Sequence, residues 1–232
     1  MSIAENVAAV KANIRAAALA AGRDPACIQL VAATKLNDAD RVRQAVAAGV
    51  DICGENRVQE MLEKNSQGAY AGAPLHFIGH LQKNKVRQVV GLAALIHSAD
   101  SRELLELIAH TAAGRGMVQD VLLEVNIGDE ASKSGFRPEE IPSALEFASA
   151  LDGLRVRGLM AIPPICVFPE ENRPFFCRMR KLFVDNGEKK YDNVSMDFLS
   201  MGMSADYQEA IACGANMVRI GTAIFGARDY SK

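Results

Sequence analysis

The feature that most constrains this chain is an alternation. Short apolar runs with the character of buried strands are each followed by a segment of helical spacing, eight times in all. The strand-like runs cover residues 28–34, 50–53, 75–78, 94–97, 118–126, 154–161, 196–199 and 217–220. Helical segments over 38–48, 55–65, 82–90, 101–113, 138–150, 173–184 and 204–213 separate them, and a short segment from Thr222 closes the chain. Ahead of this series, Ile3, Val7, Val10 and Ile14 mark one face of an additional amphipathic helix, ended by Gly22 and Pro25. Strands that alternate with helices form a parallel sheet. Eight such units in 232 residues predict one domain over 1–232, a single α/β (β/α)8 (TIM) barrel with an extra N-terminal helix. A doubly wound open sheet has the same periodicity and remains the alternative.

A closed parallel barrel carries its chemistry at the C-terminal ends of its strands. Lys35 ends the first strand, Asn56 follows the second, and Gly79 and His80 follow the third. Partial desolvation at a barrel rim favours a lysine's neutral amine, the form that Schiff-base chemistry needs. Taken alone, Lys35 reads as an ordinary solvated lysine. Two later segments change that balance. In Ser200-Met-Gly-Met-Ser204, Gly202 permits close backbone approach and Ser204 suits the N-cap of the next helix. In Arg219-Ile-Gly-Thr222, Gly221 and Thr222 add a second pair of N–H and hydroxyl donors. Loops after strands seven and eight are the usual phosphate site of this fold, so the two segments predict one phosphate pocket. Arg219 stands between Val218 and Ile220 and therefore points opposite to them, into the barrel or its mouth. It is there either as a donor to a bound ring nitrogen or as half of an ion pair with Glu124 or Asp197.

Other function classes lack support. A net charge of −2 gives no electrostatic reason to expect nucleic acid. Five cysteines without C-x-x-C spacing argue against a disulfide framework or a zinc site, and fit reduced thiols in the cytoplasm. His76 and His80 lie across a strand and a turn, a poor arrangement for a metal, and His97 and His110 show no constellation. Glu5, Lys11 and Arg15 interrupt the N-terminal segment, so neither a signal peptide nor a membrane span is expected. No exposed apolar stripe stands out, and a monomer is expected.

Six blocks in order resemble the YggS/PROSC family, the pyridoxal phosphate homeostasis proteins. They are Gly54-Glu-Asn-Arg-Val-Gln-Glu60, His76-Phe-Ile-Gly-His-Leu-Gln-Lys-Asn-Lys85, Ser132-Lys-Ser-Gly135, Leu159-Met-Ala-Ile162, Ser200-Met-Gly-Met-Ser204 and Val218-Arg-Ile-Gly-Thr-Ala-Ile-Phe-Gly226. The resemblance implies a barrel similar to the N-terminal domain of alanine racemase. It also implies pyridoxal 5'-phosphate (PLP) as cofactor, held as a Schiff base on Lys35. By the same carry-over Arg219 faces the pyridine nitrogen. Ser200, Gly202, Met203, Ser204, Gly221 and Thr222 surround the phosphate, Asn56 lies beside the ring, and His80 sits at the rim. Many relatives read Ser-Lys-Thr where this chain has Thr34-Lys35-Leu36, which removes a hydroxyl at position 36. The implied role is cofactor homeostasis, with PLP-dependent apoenzymes as candidate recipients. The chain ends at Lys232, soon after the barrel should close, which leaves no segment for the second domain of a racemase. An unprotonated ring is also a weak electron sink. The competing readings are a weak amino-acid racemase and a cofactor-free Schiff-base aldolase.

Overall fold

A computed structural model describes residues 1–130, 133–188 and 190–226. Helix α1 (Ile3–Ala20) precedes strand β1 (Gln29–Ala33), and the chain then runs through α2 (Ala39–Ala47), β2 (Ile52–Glu55), α3 (Val58–Ser66) and β3 (Leu75–Phe77). It continues with α4 (Val86–Val89), β4 (Leu95–Ala99), α5 (Arg102–Ala113), β5 (Gln119–Val125) and α6 (Ile141–Ser149). Next come β6 (Leu154–Ala161), α7 (Arg173–Gly187), β7 (Val194–Ser200), α8 (Tyr207–Ala212), β8 (Met217–Ile220) and α9 (Thr222–Phe225). Each strand pairs in parallel with the next. Pairing of β1 with β8, Val31 opposite Arg219, closes the barrel and eliminates the open-sheet alternative.

The period-two alternation of each strand sorts its side chains into two layers. Leu30 and Ala32 join the large apolar layer between sheet and helices. Val31 joins Ile52, Ile78, Leu95, Leu122, Met160 and Met217 in a separate cluster inside the barrel. Below them the barrel carries ion pairs, with Arg155 and Arg157 on Asp120 and Arg157 on Asp197.

Helix α1 begins with a capping box. The Glu5 N–H donates to Ser2 Oγ, and the Ser2 N–H donates to the Glu5 carboxylate. Its apolar face, Ile3, Val7, Val10, Ile14 and Ala18, packs with α2, α8 and α9, the helices beside β1 and β8. No helix among the described residues is long and apolar enough to cross a membrane.

Three local expectations need correction. Glu55 is the last residue of β2 and not the start of a helix, because its carboxylate is drawn into a buried polar cluster. The segment 82–90 forms only a 3-10 turn, Lys83–Lys85, followed by the single helical turn α4. The helix expected from Ser204 starts at Tyr207, with Asp206 at its N-cap position. Ser204 does not cap it: its hydroxyl accepts instead from the Gly221 N–H. Ser132 and residues 227–232 lie outside the described residues.

Candidate functional site

Lys35 follows β1 directly, and the peptide groups on either side of it are held by charged side chains, Lys64 buried and Glu60 half-buried. The Thr34 carbonyl accepts from Lys64 Nζ at 2.9 Å, and the Leu36 N–H donates to Glu60 Oε2 at 2.8 Å. Lys64 also donates to Glu55 Oε1 at 2.8 Å and Glu60 Oε2 at 3.2 Å. Glu55 Oε1 takes two further donors, Thr34 Oγ1 at 2.5 Å and the Tyr70 hydroxyl at 3.0 Å. Burial and the neighbouring Glu55 raise the Tyr70 hydroxyl far above its ordinary range, and push the Cys53 thiol up to about 12. Leu36 adopts φ +60°, a left-handed conformation unusual for a branched apolar residue. The chain thus turns sharply just beyond Lys35.

Across the barrel mouth, the loops after β7 and β8 are tied together. Gly202 sits at φ +88°, and a Cβ there would lie 2.5 Å from Ala210 Cβ and 2.9 Å from Tyr207 Cα. Its carbonyl accepts from the Arg219 N–H at 3.0 Å. Ser204 Oγ accepts from the Gly221 N–H at 3.3 Å, joining the two expected phosphate segments. Among the described residues, the N–H groups of Gly202, Ser204 and Thr222 donate to no protein acceptor. The Met203 N–H is already taken by Asp206 Oδ1 at 2.7 Å. The Met203 side chain is partly exposed at the rim.

Arg219 is buried inside the barrel. Its Nη1 donates to Ser200 Oγ at 2.7 Å and its Nη2 to the Ala161 carbonyl at 2.9 Å. Neither acidic residue considered as a partner bonds to it: Asp197 pairs with Arg157, and Glu124 acts only through space. Burial lowers the guanidinium to about 10, against the opposing fields of Glu124 and Asp206. Two of its three nitrogens are engaged by neutral oxygens. Its Nε–H has no protein acceptor among the described residues.

The hydroxyl of Ser200, expected near the phosphate, points into this network instead. It lies 3.0 Å from His97 Nδ1, and His97 Nε2 lies 2.9 Å from His76 Nδ1. Both histidines are buried. Burial, with His76 and Arg219 adding to it, holds His97 well below the usual imidazole range, and burial holds His76 at about 4. Sequence reasoning missed this chain. For His76 the signal was present: it stands between Leu75 and Phe77, as Arg219 stands between Val218 and Ile220, so the same parity argument turns it inward, whereas His97 has Ile96 on one side and Ser98 on the other.

At the ends of β2, β3, β5 and β6 lies a cavity of about 230 Å³ bordered by Asn56, Gly79, His80, Glu124, Asn126 and Lys133. Hollows of about 280 and 550 Å³ lie among the outer helices, away from the strand ends. Among the described residues, Asn56 Oδ1 is buried without a hydrogen-bond partner. A Cβ on Gly79 would come within 2.2 Å of the Asn56 carbonyl, so only glycine lets these two loops meet. Burial pushes the Glu124 carboxyl up to about 7. Asp100 adds to the shift, and Arg219 and His80 oppose it.

Comparison with known proteins gives a consistent family. The alanine racemase N-terminal domain family matches residues 6–229. The pyridoxal phosphate homeostasis protein of Pseudomonas aeruginosa is 44% identical over 229 residues, covering 99% of this chain and 97% of its own length. Its counterpart in Aquifex aeolicus is 41% identical over 99% of this chain and 100% of its own. Among solved structures, PipY of Synechococcus elongatus with PLP bound has 31% identity and a TM-score of 0.83, over 97% of this chain and 100% of its own. The chain belongs to the family of pyridoxal phosphate homeostasis proteins and carries the alanine racemase N-terminal domain.

Proposed function

We propose that this protein binds PLP in the barrel mouth, covalently through a Schiff base on Lys35, and that it serves PLP homeostasis as a carrier. The observation that carries this reading is Arg219: a buried cation on β8, the strand that pairs with β1 ahead of Lys35, with no bonded carboxylate and an unengaged Nε–H among the described residues. An orphaned Asn56 Oδ1 and a glycine position that no Cβ could occupy, Gly202, fit the same group. The name of the relatives and the PLP-bound PipY structure support it independently.

When bound, PLP supplies an aldehyde that condenses with a primary amine and a pyridine ring that withdraws electrons. Lys35 would supply the primary amine that holds the aldehyde. The N–H groups of Gly202, Ser204 and Thr222, with the hydroxyls of Ser204 and Thr222, receive the phosphate. Gly221 supplies close backbone approach and Met203 a flank at the rim. Ser200 reaches the cofactor only through Arg219. Arg219 donates to the ring nitrogen and, being unable to give up its proton, keeps that nitrogen unprotonated. Asn56 borders the ring. An unprotonated ring favours holding over turnover, and PLP-dependent apoenzymes are the recipients we envisage for a monomeric cytoplasmic carrier.

A second reading, weak amino-acid turnover of the racemase type, is favoured by Glu124, a carboxyl in the adjoining cavity that gains and loses its proton near neutral pH. Steady-state assays of purified protein against an amino-acid panel separate the two. The carrier reading predicts retention of PLP through purification with no turnover above a Lys35→Ala control. Sustained turnover abolished by that substitution would establish the enzyme instead.

A further inference from the structure

Four polar side chains inside the barrel, His76 of β3, His97 of β4, Ser200 of β7 and Arg219 of β8, form one continuous hydrogen-bonded chain. Barrel interiors are normally filled with layers of branched apolar residues. Two uncharged imidazoles in that space neutralise no charge, so their presence needs another reason.

Proton accounting supplies it. Arginine only donates. Ser200 Oγ, 2.7 Å from Arg219 Nη1, therefore accepts, which leaves its own proton to be placed. Its other neighbour is His97 Nδ1 at 3.0 Å. If the hydroxyl donates there, His97 carries its proton on Nε2 and donates to His76 Nδ1 at 2.9 Å, and His76 carries its proton on Nε2. Every contact is then satisfied by one proton. The reverse direction leaves the fully buried Ser200 hydroxyl proton without an acceptor. The chain does not conduct protons to the cofactor site, because it ends on a group that cannot accept one.

We infer that His97, seated on His76, is a positioning residue for Arg219. Through Ser200 it fixes one guanidinium nitrogen while the Ala161 carbonyl fixes a second, and these two anchors leave Nε–H as the donor not engaged by the protein among the described residues. The inference rests on the reading of Arg219 as partner of the PLP ring nitrogen.

The test uses the full chain labelled with 15N-histidine, first without cofactor and then loaded with ring-15N PLP. Without cofactor, both His76 and His97 are expected as Nε2–H tautomers that do not titrate between about pH 5 and pH 8. In the loaded protein, His97→Phe should still form the borohydride-trapped adduct. It should also move the ring-nitrogen resonance and weaken PLP retention about tenfold, the scale of one hydrogen bond to a charged group. His97→Gln, which keeps an acceptor, should return both values toward the parent. Ser200→Ala breaks the same link with both imidazoles in place and should reproduce the ring-nitrogen shift even if His97→Phe fails to fold. An Nδ1–H tautomer at His97, or an unmoved ring nitrogen in Ser200→Ala, overturns the inference. An unmoved ring nitrogen in Arg219→Gln instead removes the underlying reading of Arg219, and that result is separable from the others.

Discussion

Replacing Lys64 with methionine would remove the cation on which the turn around Lys35 is built. The Lys64 side chain is 7% exposed and that of Glu55 is 0% exposed, so the pair is screened by protein and not by water. Taking one partner from a buried ion pair costs about 3–5 kcal/mol, because the remaining charge stays desolvated. Glu55 Oε1 would keep its donors from Thr34 and Tyr70, which favours the lower half of that range. The Thr34 carbonyl would lose the amine that it accepts from, a further contribution of about 1 kcal/mol. The sum, about 4 kcal/mol, is a large part of the ~5–15 kcal/mol that holds an ordinary domain together. Urea unfolding at neutral pH measures it as a fall in midpoint with unchanged slope. Adding Glu55→Gln to Lys64→Met removes the stranded charge and should recover at least half of the loss. A cost below about 1 kcal/mol for Lys64→Met, the value of an exposed pair, would refute the reasoning, as would a double variant less stable than the single one.

Gly202→Ala meets both a left-handed φ and a 2.5 Å contact with Ala210 Cβ, and should cost about 2–3 kcal/mol in urea unfolding and weaken PLP retention. Gly226→Ala is the control: its φ is +89° with nothing within 4 Å among the described residues, so it should cost only the conformational part, and equal losses would discredit the steric argument. Leu36→Asn relieves the left-handed strain at an exposed position and should raise the melting temperature by about 1–3 °C, corresponding to about 0.5–1 kcal/mol; a drop would show that the Leu36 side chain contributes more than its exposure suggests. Glu124 has a folded pKa raised from 4.5 to about 7, so the folded state holds a proton that the unfolded state releases, and stability falls as pH rises from about 4.5 to about 7. Glu124→Gln should therefore be more stable than the parent at pH 8, at about 1.4 kcal/mol per pKa unit removed, and this advantage should vanish by pH 4; a pH-independent difference would contradict the assignment.

Strand positions were legible because burial on both faces leaves a short, continuous apolar run, within which successive side chains still alternate between the two faces. The inward aim of Arg219 followed from that same parity at Val218 and Ile220. What lies opposite an inward residue is set by barrel closure, which brings together groups far apart in sequence. For that reason Ser200 could be placed at the mouth but not bonded to His97, and the reach of Lys64 to Glu55 and Thr34 left no trace in the local sequence. Ser204 misled for a different reason. A serine before a helix ordinarily caps it, but here Asp206 accepts the Met203 N–H and the helix starts later, while the Ser204 hydroxyl is held by Gly221.

The central claim is the covalent attachment of PLP to Lys35, and the most direct measurement is intact mass and peptide mapping of the whole chain after incubation with PLP and reduction with borohydride. The account predicts one PLP adduct per chain, on the peptide containing Lys35, and its loss in Lys35→Ala. An unmodified chain, or an adduct that persists in Lys35→Ala, would contradict it.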